Sequence, residues 1–127
     1  MLLIYKNRKV EVGTKVRVYF NLHTKLFSIL AVEGTYRGKV VAHGNGIKLV
    51  GAKFIVNKSG QQKVRKTKTK NVHAYIEGTY KGITEEEFAK EAYYNPYLTD
   101  FFINSKSKET LFNAKEVILK DKKVSYI

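Results

Sequence analysis

One hexapeptide restricts the fold of this chain more than any other segment: it is Lys15-Val16-Arg17-Val18-Tyr19-Phe20. Its first residues alternate cationic and apolar side chains, which is the period of a β-strand whose successive side chains point to opposite faces. We therefore expect a strand here that places Lys15 and Arg17 in water and buries its valines. The pattern indicates a sheet with one face exposed to solvent.

Short apolar segments bounded by turn residues recur along the chain and predict further strands. These segments are 2–5, 10–12, 26–32, 39–43, 47–50, 53–56, 72–80, 98–103, 116–119 and 124–127. Gly44-Asn45-Gly46 predicts a tight reversal, and Lys120-Asp121-Lys122-Lys123 predicts a hairpin turn between the last two strands.

Two segments favour short helices. Ser59 is followed three residues later by Gln62, a capping-box pattern that predicts a helix over 60–66, although partial alternation leaves an extended arm as the alternative. The second begins at Thr84 with three glutamates in its first turn, which suits the helix dipole, and it ends before the proline bend at 94–97.

These elements together predict an α+β, β-rich fold: a mainly antiparallel curved sheet or partial barrel with one or two short helices. The length of 127 residues predicts a single domain, 1–127. Within it, we expect a basic β-rich body, 1–83, and a near-neutral C-terminal segment, 84–127, that packs on the body.

The net charge of +13 is concentrated in the first two-thirds of the chain. Residues 1–83 carry +14 and residues 84–127 carry −1. Such an excess costs stability through self-repulsion unless an anion offsets it. A lysine-rich codon bias would explain the lysines but not their uneven distribution.

The densest charge lies at Lys63 to Lys70, where five cations occupy eight positions with no acid among them. We call residues 63–70 the cationic strip. A run of this kind attracts phosphate, so the expected partner is a nucleic acid or nucleotide, with RNA slightly favoured. The predicted phosphate contacts are Lys63, Arg65, Lys66, Lys68 and Lys70, with Arg17 and Lys39 secondary. A solvated surface without a ligand is the alternative.

Four tyrosines, Tyr19, Tyr36, Tyr75 and Tyr80, lie close in sequence to cations. Aromatic side chains in this setting can stack on the bases of a single strand. Tyrosines on strands also serve as core or cross-strand packing, and the sequence leaves both interpretations open.

The chain has three histidines, His23, His43 and His73, each beside an apolar strand. If they converged, they could act as base and acid in metal-independent cleavage of RNA or another phosphodiester. They lack the spacing typical of a metal site, and we expect no metal and no cofactor. The alternative is that they are strand-end histidines bonded to backbone groups.

Four short motifs give the chain a resemblance to known proteins: Asn21-Leu22-His23, Gly38 to His43, Asn71-Val72-His73-Ala74 and Tyr94-Asn95-Pro96-Tyr97. The chain resembles a family of small bacteriophage proteins that carry similar motifs in this order. The resemblance implies expression in the cytoplasm of an infected host bacterium, in host takeover or counter-defence. It brings no catalytic residue with it.

The aromatic residues of segment 93–102 are expected to clamp the C-terminal part to the sheet. If exposed, they would instead form a surface for a host protein or for self-association, so an oligomer is a further possibility. The longest apolar run is far shorter than the roughly 20 residues of a membrane span, and we expect no membrane partner.

Overall fold

The structure is a computed structural model that describes residues 1–58, 62 and 72–127. Ten strands lie in these residues, and every pairing between them is antiparallel. They are β1 Leu2–Ile4, β2 Lys15–Asn21, β3 Leu26–Ala31, β4 Val40–Gly44, β5 Ile47–Val56, β6 Ala74–Ile83, β7 Lys90–Tyr93, β8 Ile103–Asn104, β9 Asn113–Lys120 and β10 Lys123–Tyr126.

The strands form one open sheet in the order β1-β4-β3-β2-β6-β5-β9-β10-β7-β8. The long strands β5 and β6 occupy its middle, and the strands of segment 84–127 continue it on one side. Glycines allow two irregularities in this arrangement. Gly51, at a φ of 63°, accompanies a register shift in β5, and Gly46, at 75°, lies between β4 and β5, which are not neighbours in the sheet.

The sheet curls strongly. β7 and β2 are five strand positions apart, about 24 Å in a flat sheet. Nevertheless, the hydroxyl of Tyr94, next after β7, accepts a hydrogen bond from Phe20 N in β2 at 3.1 Å. The same hydroxyl donates to the carbonyl oxygen of Ala74 in β6 at 2.9 Å. The curl encloses the core between the two sides of the sheet.

The core is apolar and comes from alternate residues of the central strands. Val16, Val18 and Phe20 of β2 are buried, as are Ile76 and Tyr80 of β6. Fully buried residues of β3, β5 and β9 complete it: Phe27, Ile29, Ile47, Leu49, Val117 and Leu119. The predicted alternation of 15–20 is therefore confirmed, and the fold is β-rich and antiparallel, as predicted.

The predicted helix over 84–91 is wrong. Glu86 N does donate to Thr84 Oγ1 at 3.1 Å, but no helical turn follows, and residues 90–93 form β7. The reason is tertiary, because β7 gains a ladder with β10 and Phe88 N donates to Ser125 Oγ at 3.1 Å. The other predicted helix, 60–66, lies outside the described residues except for residue 62.

Four predicted strands also need correction. Residues 10–12 form an irregular segment and turn, in which Thr14 N donates to Glu11 O. Most of 98–103 is irregular, and only its last residue enters a strand, β8. The segments 47–50 and 53–56 are one strand, β5, because positive φ at Gly51 lets the chain continue through a bulge.

Candidate nucleic-acid interface

The side of the sheet that faces away from the core is called the outer face. On its central strands it carries Lys15, Arg17 and Tyr19 of β2, Tyr75, Glu77 and Thr79 of β6, and Lys53 and Ile55 of β5, all outside the buried set. The register explains this grouping, since Arg17 lies opposite Glu77 and Glu77 lies opposite Lys53. Directly opposite residues in antiparallel strands point to the same side.

Arg17, Glu77 and Tyr75 form one contact cluster on the outer face. Arg17 Nε donates to Glu77 Oε1 at 3.0 Å, and the guanidinium carbon lies 5.0 Å from the centre of the Tyr75 ring. The Arg17 side chain is still 42% exposed, whereas that of Glu77 is 14% exposed. The carboxylate therefore holds the guanidinium on the ring, while much of the cation remains open to solvent.

Tyr19 lies beside this cluster. The pairs Arg17–Glu77 and Val18–Ile76 place Tyr19 opposite Tyr75 when the register is continued by one residue. Both rings are half-buried. On its other side Tyr19 is paired with Ser28 of β3, and Ser28 is paired with His43 of β4, so one row of side chains crosses four strands.

His43 is part of a hydrogen-bonded row. Ser28 Oγ accepts a hydrogen bond from Asn21 Nδ2 at 3.2 Å and lies within hydrogen-bond distance of His43 Nδ1, 2.9 Å away. Burial lowers the pKa of His43, and the Tyr5 ring packs edge-on against it at 5.4 Å. Burial therefore favours the neutral imidazole.

His73 has a different role. Its ring is buried, and Nε2 donates to the carbonyl oxygen of Thr99 at 2.8 Å. Its backbone N–H donates to Pro96 O, and its carbonyl oxygen accepts from Asn57 N. Nδ1 has no hydrogen-bond partner among the described residues. These contacts agree with a structural histidine that anchors the loop after β7 to the start of β6.

Hydrogen bonds within segment 94–99 order the loop that binds His73. The Asn95 side chain accepts hydrogen bonds from the backbone N–H groups of Tyr97 and Leu98, and Asn95 N donates to Thr99 Oγ1. Tyr94 stacks on Phe102 with ring centres 5.5 Å apart and ring planes 7° apart. The expected clamp by segment 93–102 therefore exists, although Phe101 points away from it and is 61% exposed.

The structure does not bring the three histidines together. His43 lies on β4 and His73 directly precedes β6, and β3 and β2 lie between them, about 14 Å across the sheet. His23 is exposed in the turn after β2, where its N–H donates to Asn21 Oδ1. In residues 1–58, 62 and 72–127, no group of three or more His, Asp and Glu lies close enough together to hold a metal ion.

The remaining predicted phosphate contacts fall into two groups. Lys39 is exposed just before β4, where its carbonyl oxygen accepts from Ala31 N, so it lies near the Lys15 end of β2. Lys63, Arg65, Lys66, Lys68 and Lys70 lie outside the described residues. In the sequence they lie between β5 and β6, which are neighbouring strands of the sheet.

Few of the cations in the basic part are neutralised by side chains. Within the described part of residues 1–83, the ion pairs that involve a cation are Arg17–Glu77 and Lys48–Glu116. On the near-neutral side, Lys120 lies 4.0 Å from both Glu85 and Glu87. Most cations in the described part of residues 1–83 therefore lie outside these ion pairs.

Two surface depressions differ in character. One, of about 460 Å³, lies at the Lys15 end of β2, between the loop at 9–14 and the turn at 33–36, and is lined by Lys9, Lys15, Glu11 and Glu33. Its mixed charge does not favour a phosphate. The other, of about 200 Å³, is lined by Phe54, Phe101, Phe102 and Phe112 among others. No helix within the described residues has the length and apolar character to cross a membrane.

Several important residues were not predicted from the sequence. Ser28 was not predicted as a site residue because it lies in an apolar run of the sequence. Its role depends on its pairing with His43 on the neighbouring strand. Tyr94 was predicted only as part of an aromatic clamp, not as a bridge between two backbones. The period-two pattern of β2 and β6 did contain a signal for the Tyr19–Tyr75 pair, because both tyrosines lie on the polar side of their strands.

Comparison with known proteins gives one consistent result. Residues 9–127 match the family described as Mycobacterium phage L5 gene 82 protein. The "Gene 82 protein" of Mycobacterium phage L5 is 32% identical over 114 residues, which is 84% of this chain and 90% of the relative. No solved structure matches the chain.

Proposed function

The chain belongs to the family of the Mycobacterium phage L5 gene 82 protein, and we propose that it binds nucleic acid or nucleotide phosphates through a lysine-rich surface. The bacteriophage family predicted from the sequence is confirmed. The surface that we propose combines the cationic strip with the cations of the outer face. Its setting would be the infected cell, in host takeover or counter-defence.

One observation carries this proposal: the strip connects two strands beside the outer-face tyrosines. The chain leaves β5 at Val56 and enters β6 at Ala74, and these two residues are paired. The next residue of β6, Tyr75, carries the Arg17 guanidinium on its ring. A strand of nucleic acid that contacts Arg17 would therefore lie close to both ends of the connection that carries five further cations.

Electrostatics support the same surface. The basic part has an excess of fourteen positive charges, and its described cations form few ion pairs. Lysine holds phosphate as a point charge and reads little base identity, so we expect binding with weak sequence preference. Each neutralised phosphate releases a counterion, and the affinity should therefore fall steeply with salt.

The test is a charge-removal series measured by fluorescence anisotropy with a labelled 20-nucleotide oligo(U). The strip variant is Lys63→Gln/Arg65→Gln/Lys66→Gln. Its matched control, Lys106→Gln/Lys115→Gln/Lys123→Gln, removes the same charge from exposed positions of the near-neutral segment. Both variants are measured at 50 and 200 mM salt with the full-length chain.

We expect the wild-type affinity to fall about 100-fold between the two salt concentrations if about five phosphates are neutralised on a single strand. The strip variant should bind more weakly at 50 mM, and the slope of log K against log salt should shrink by about 2. The control should keep the wild-type slope. Equal losses in both variants, or a wild-type affinity that hardly changes with salt, would refute the proposal.

Two alternatives are separated by the same series. A metal-independent ribonuclease or phosphodiesterase using His23, His43 and His73 would cleave the oligo(U), and His43→Ala would abolish cleavage. The three imidazoles do not converge, so they give the ribonuclease alternative no support. A protein-docking inhibitor of a host factor is favoured by the exposed rings of Phe101 and Phe112, which are 61% and 71% exposed. For that function, oligo(U) would not bind at either salt concentration.

A further inference from the structure

The outer face has an arrangement that charge alone does not require: two aromatic rings side by side on neighbouring strands. Tyr19 and Tyr75 are the next residues beyond Val18–Ile76, the last pair of the β2–β6 ladder. Paired strands are about 4.8 Å apart, so the two tyrosines project near each other from the same side of the sheet. The opposite side of the same strands is already occupied by core residues such as Val18 and Ile76.

The rings of Tyr19 and Tyr75 are not part of the buried core. Tyr80, on the inner side of β6, is buried and shows how a core tyrosine of this sheet is packed. Tyr19 and Tyr75 are instead half-buried, and in the described residues their hydroxyls form no hydrogen bond within 3.5 Å. Each of these tyrosines is therefore only partly covered by the rest of the protein.

Arg17 gives this pair of rings a fixed cation. Its guanidinium lies over Tyr75 at 5.0 Å and is anchored by Glu77 Oε1 at 3.0 Å. A guanidinium is planar and offers a face on which a base can stack while its charge attracts phosphate. Arg17 and Tyr75 therefore form one cation–aromatic unit, and Tyr19 supplies a second ring beside it.

From this geometry we infer that the outer face binds single-stranded nucleic acid by stacking one base on Tyr19 and another on the Arg17–Tyr75 unit. The inference rests on the proposed function and specifies its ligand. In a duplex the bases are stacked on one another and paired, so their faces cannot reach a flat protein surface. Single strands have free base faces, and aromatic side chains on a sheet hold them with little sequence preference.

The experiment compares a 12-nucleotide oligo(dT) with a 12-base-pair duplex on the full-length chain at 100 mM salt. The variants are Tyr19→Leu and Tyr75→Leu, each with a ring-preserving partner, Tyr19→Phe and Tyr75→Phe. The control is Tyr93→Leu, because Tyr93 is 47% exposed and lies on β7, which three strands separate from β6 in the strand order. Circular dichroism verifies that each variant folds.

We expect each leucine variant to lose at least about fivefold in affinity for oligo(dT), the lower limit for loss of one stacked base. The phenylalanine variants should lose less than about twofold, since they keep the ring that stacks. Affinity for the duplex and the salt slope should not change. Because the chain has nine tyrosines and no tryptophan, oligo(dT) should also quench the intrinsic fluorescence, and less so in Tyr75→Phe.

The failures are distinguishable. If duplex and single strand bind equally and the leucine variants match wild type, base stacking is overturned, while salt-dependent binding through the strip stands. If the phenylalanine variants lose as much as the leucine variants, the hydroxyls rather than the rings make the contact, and stacking is again overturned. If neither nucleic acid binds to the wild type, the proposed function itself fails. Should a leucine variant not fold, the phenylalanine variant and the quenching measurement decide.

Discussion

The hydroxyl of Tyr94 holds together two strands that do not bond directly to each other at that level. It accepts from Phe20 N at 3.1 Å and donates to Ala74 O at 2.9 Å, beyond the last pair of the β2–β6 ladder, Val18–Ile76. Burial raises the pKa of Tyr94, so the hydroxyl keeps its proton throughout the physiological range. It therefore acts as a permanent donor and acceptor between β2 and β6.

Replacing Tyr94 by phenylalanine removes one oxygen and leaves the ring. The stack on Phe102 is retained, so little apolar burial is lost. One backbone N–H and one backbone C=O lose their partner in a partly buried position. An unsatisfied buried group costs about 1–3 kcal/mol, and we expect a total loss of about 2–3 kcal/mol of unfolding free energy because both groups are only partly enclosed.

The assay is urea unfolding followed by circular dichroism, with Tyr93→Phe as the matched control. Tyr93 is the preceding residue and is 47% exposed, and loss of its hydroxyl should change stability by less than about 0.5 kcal/mol. Tyr94→Phe should lower the midpoint without changing the slope, since the unfolded surface is the same. A Tyr94→Phe stability within about 0.5 kcal/mol of wild type would show that β2 and β6 close up and bond directly, which would refute the bridge.

Three further outcomes follow from local geometry. Burial lowers the pKa of His43 from its usual 6.5, so the unfolded state binds more protons than the folded state below that pH. The unfolding free energy should therefore fall as the pH drops from 7.5 towards 5.5, and it should fall less in His43→Gln. Urea unfolding at both pH values measures the difference. Lys122 follows Asp121 in the β9–β10 turn and has a φ of 64°, a conformation that glycine adopts more easily. Lys122→Gly should therefore raise the unfolding free energy by about 0.5–1 kcal/mol, and an unchanged thermal unfolding midpoint would contradict the backbone strain. Gly46 has a φ of 75°, and Gly46→Ala would place a methyl group against Thr84 O. The substitution should lower the unfolding free energy by more than about 2 kcal/mol in the same measurement. A near-neutral result would mean that the 44–47 connection shifts freely.

The sequence alone determined the strand-forming character of the chain and which side of its strands is polar. The alternation at 15–20 needs only the period of two, and each apolar residue of β2 is buried in the structure. The β9–β10 hairpin was equally local, because its two turn residues, Asp121 and Lys122, both adopt positive φ between paired strands. The charge asymmetry also belongs to the sequence and needs no coordinates.

Only the tertiary structure decided the conformation of segment 84–93 and which residues surround the candidate functional side chains. Thr84 and its glutamates favour a helix locally, but β7 gains ladder bonds to β10, a strand more than thirty residues away that no local propensity can anticipate. The proximity of Tyr19 to Tyr75, the hydrogen bond between Ser28 and His43 and the hydrogen bond of His73 to Thr99 likewise join distant segments. Side chains acquire such neighbours from strand order and curl, and these depend on which apolar faces bury together rather than on any short stretch of sequence.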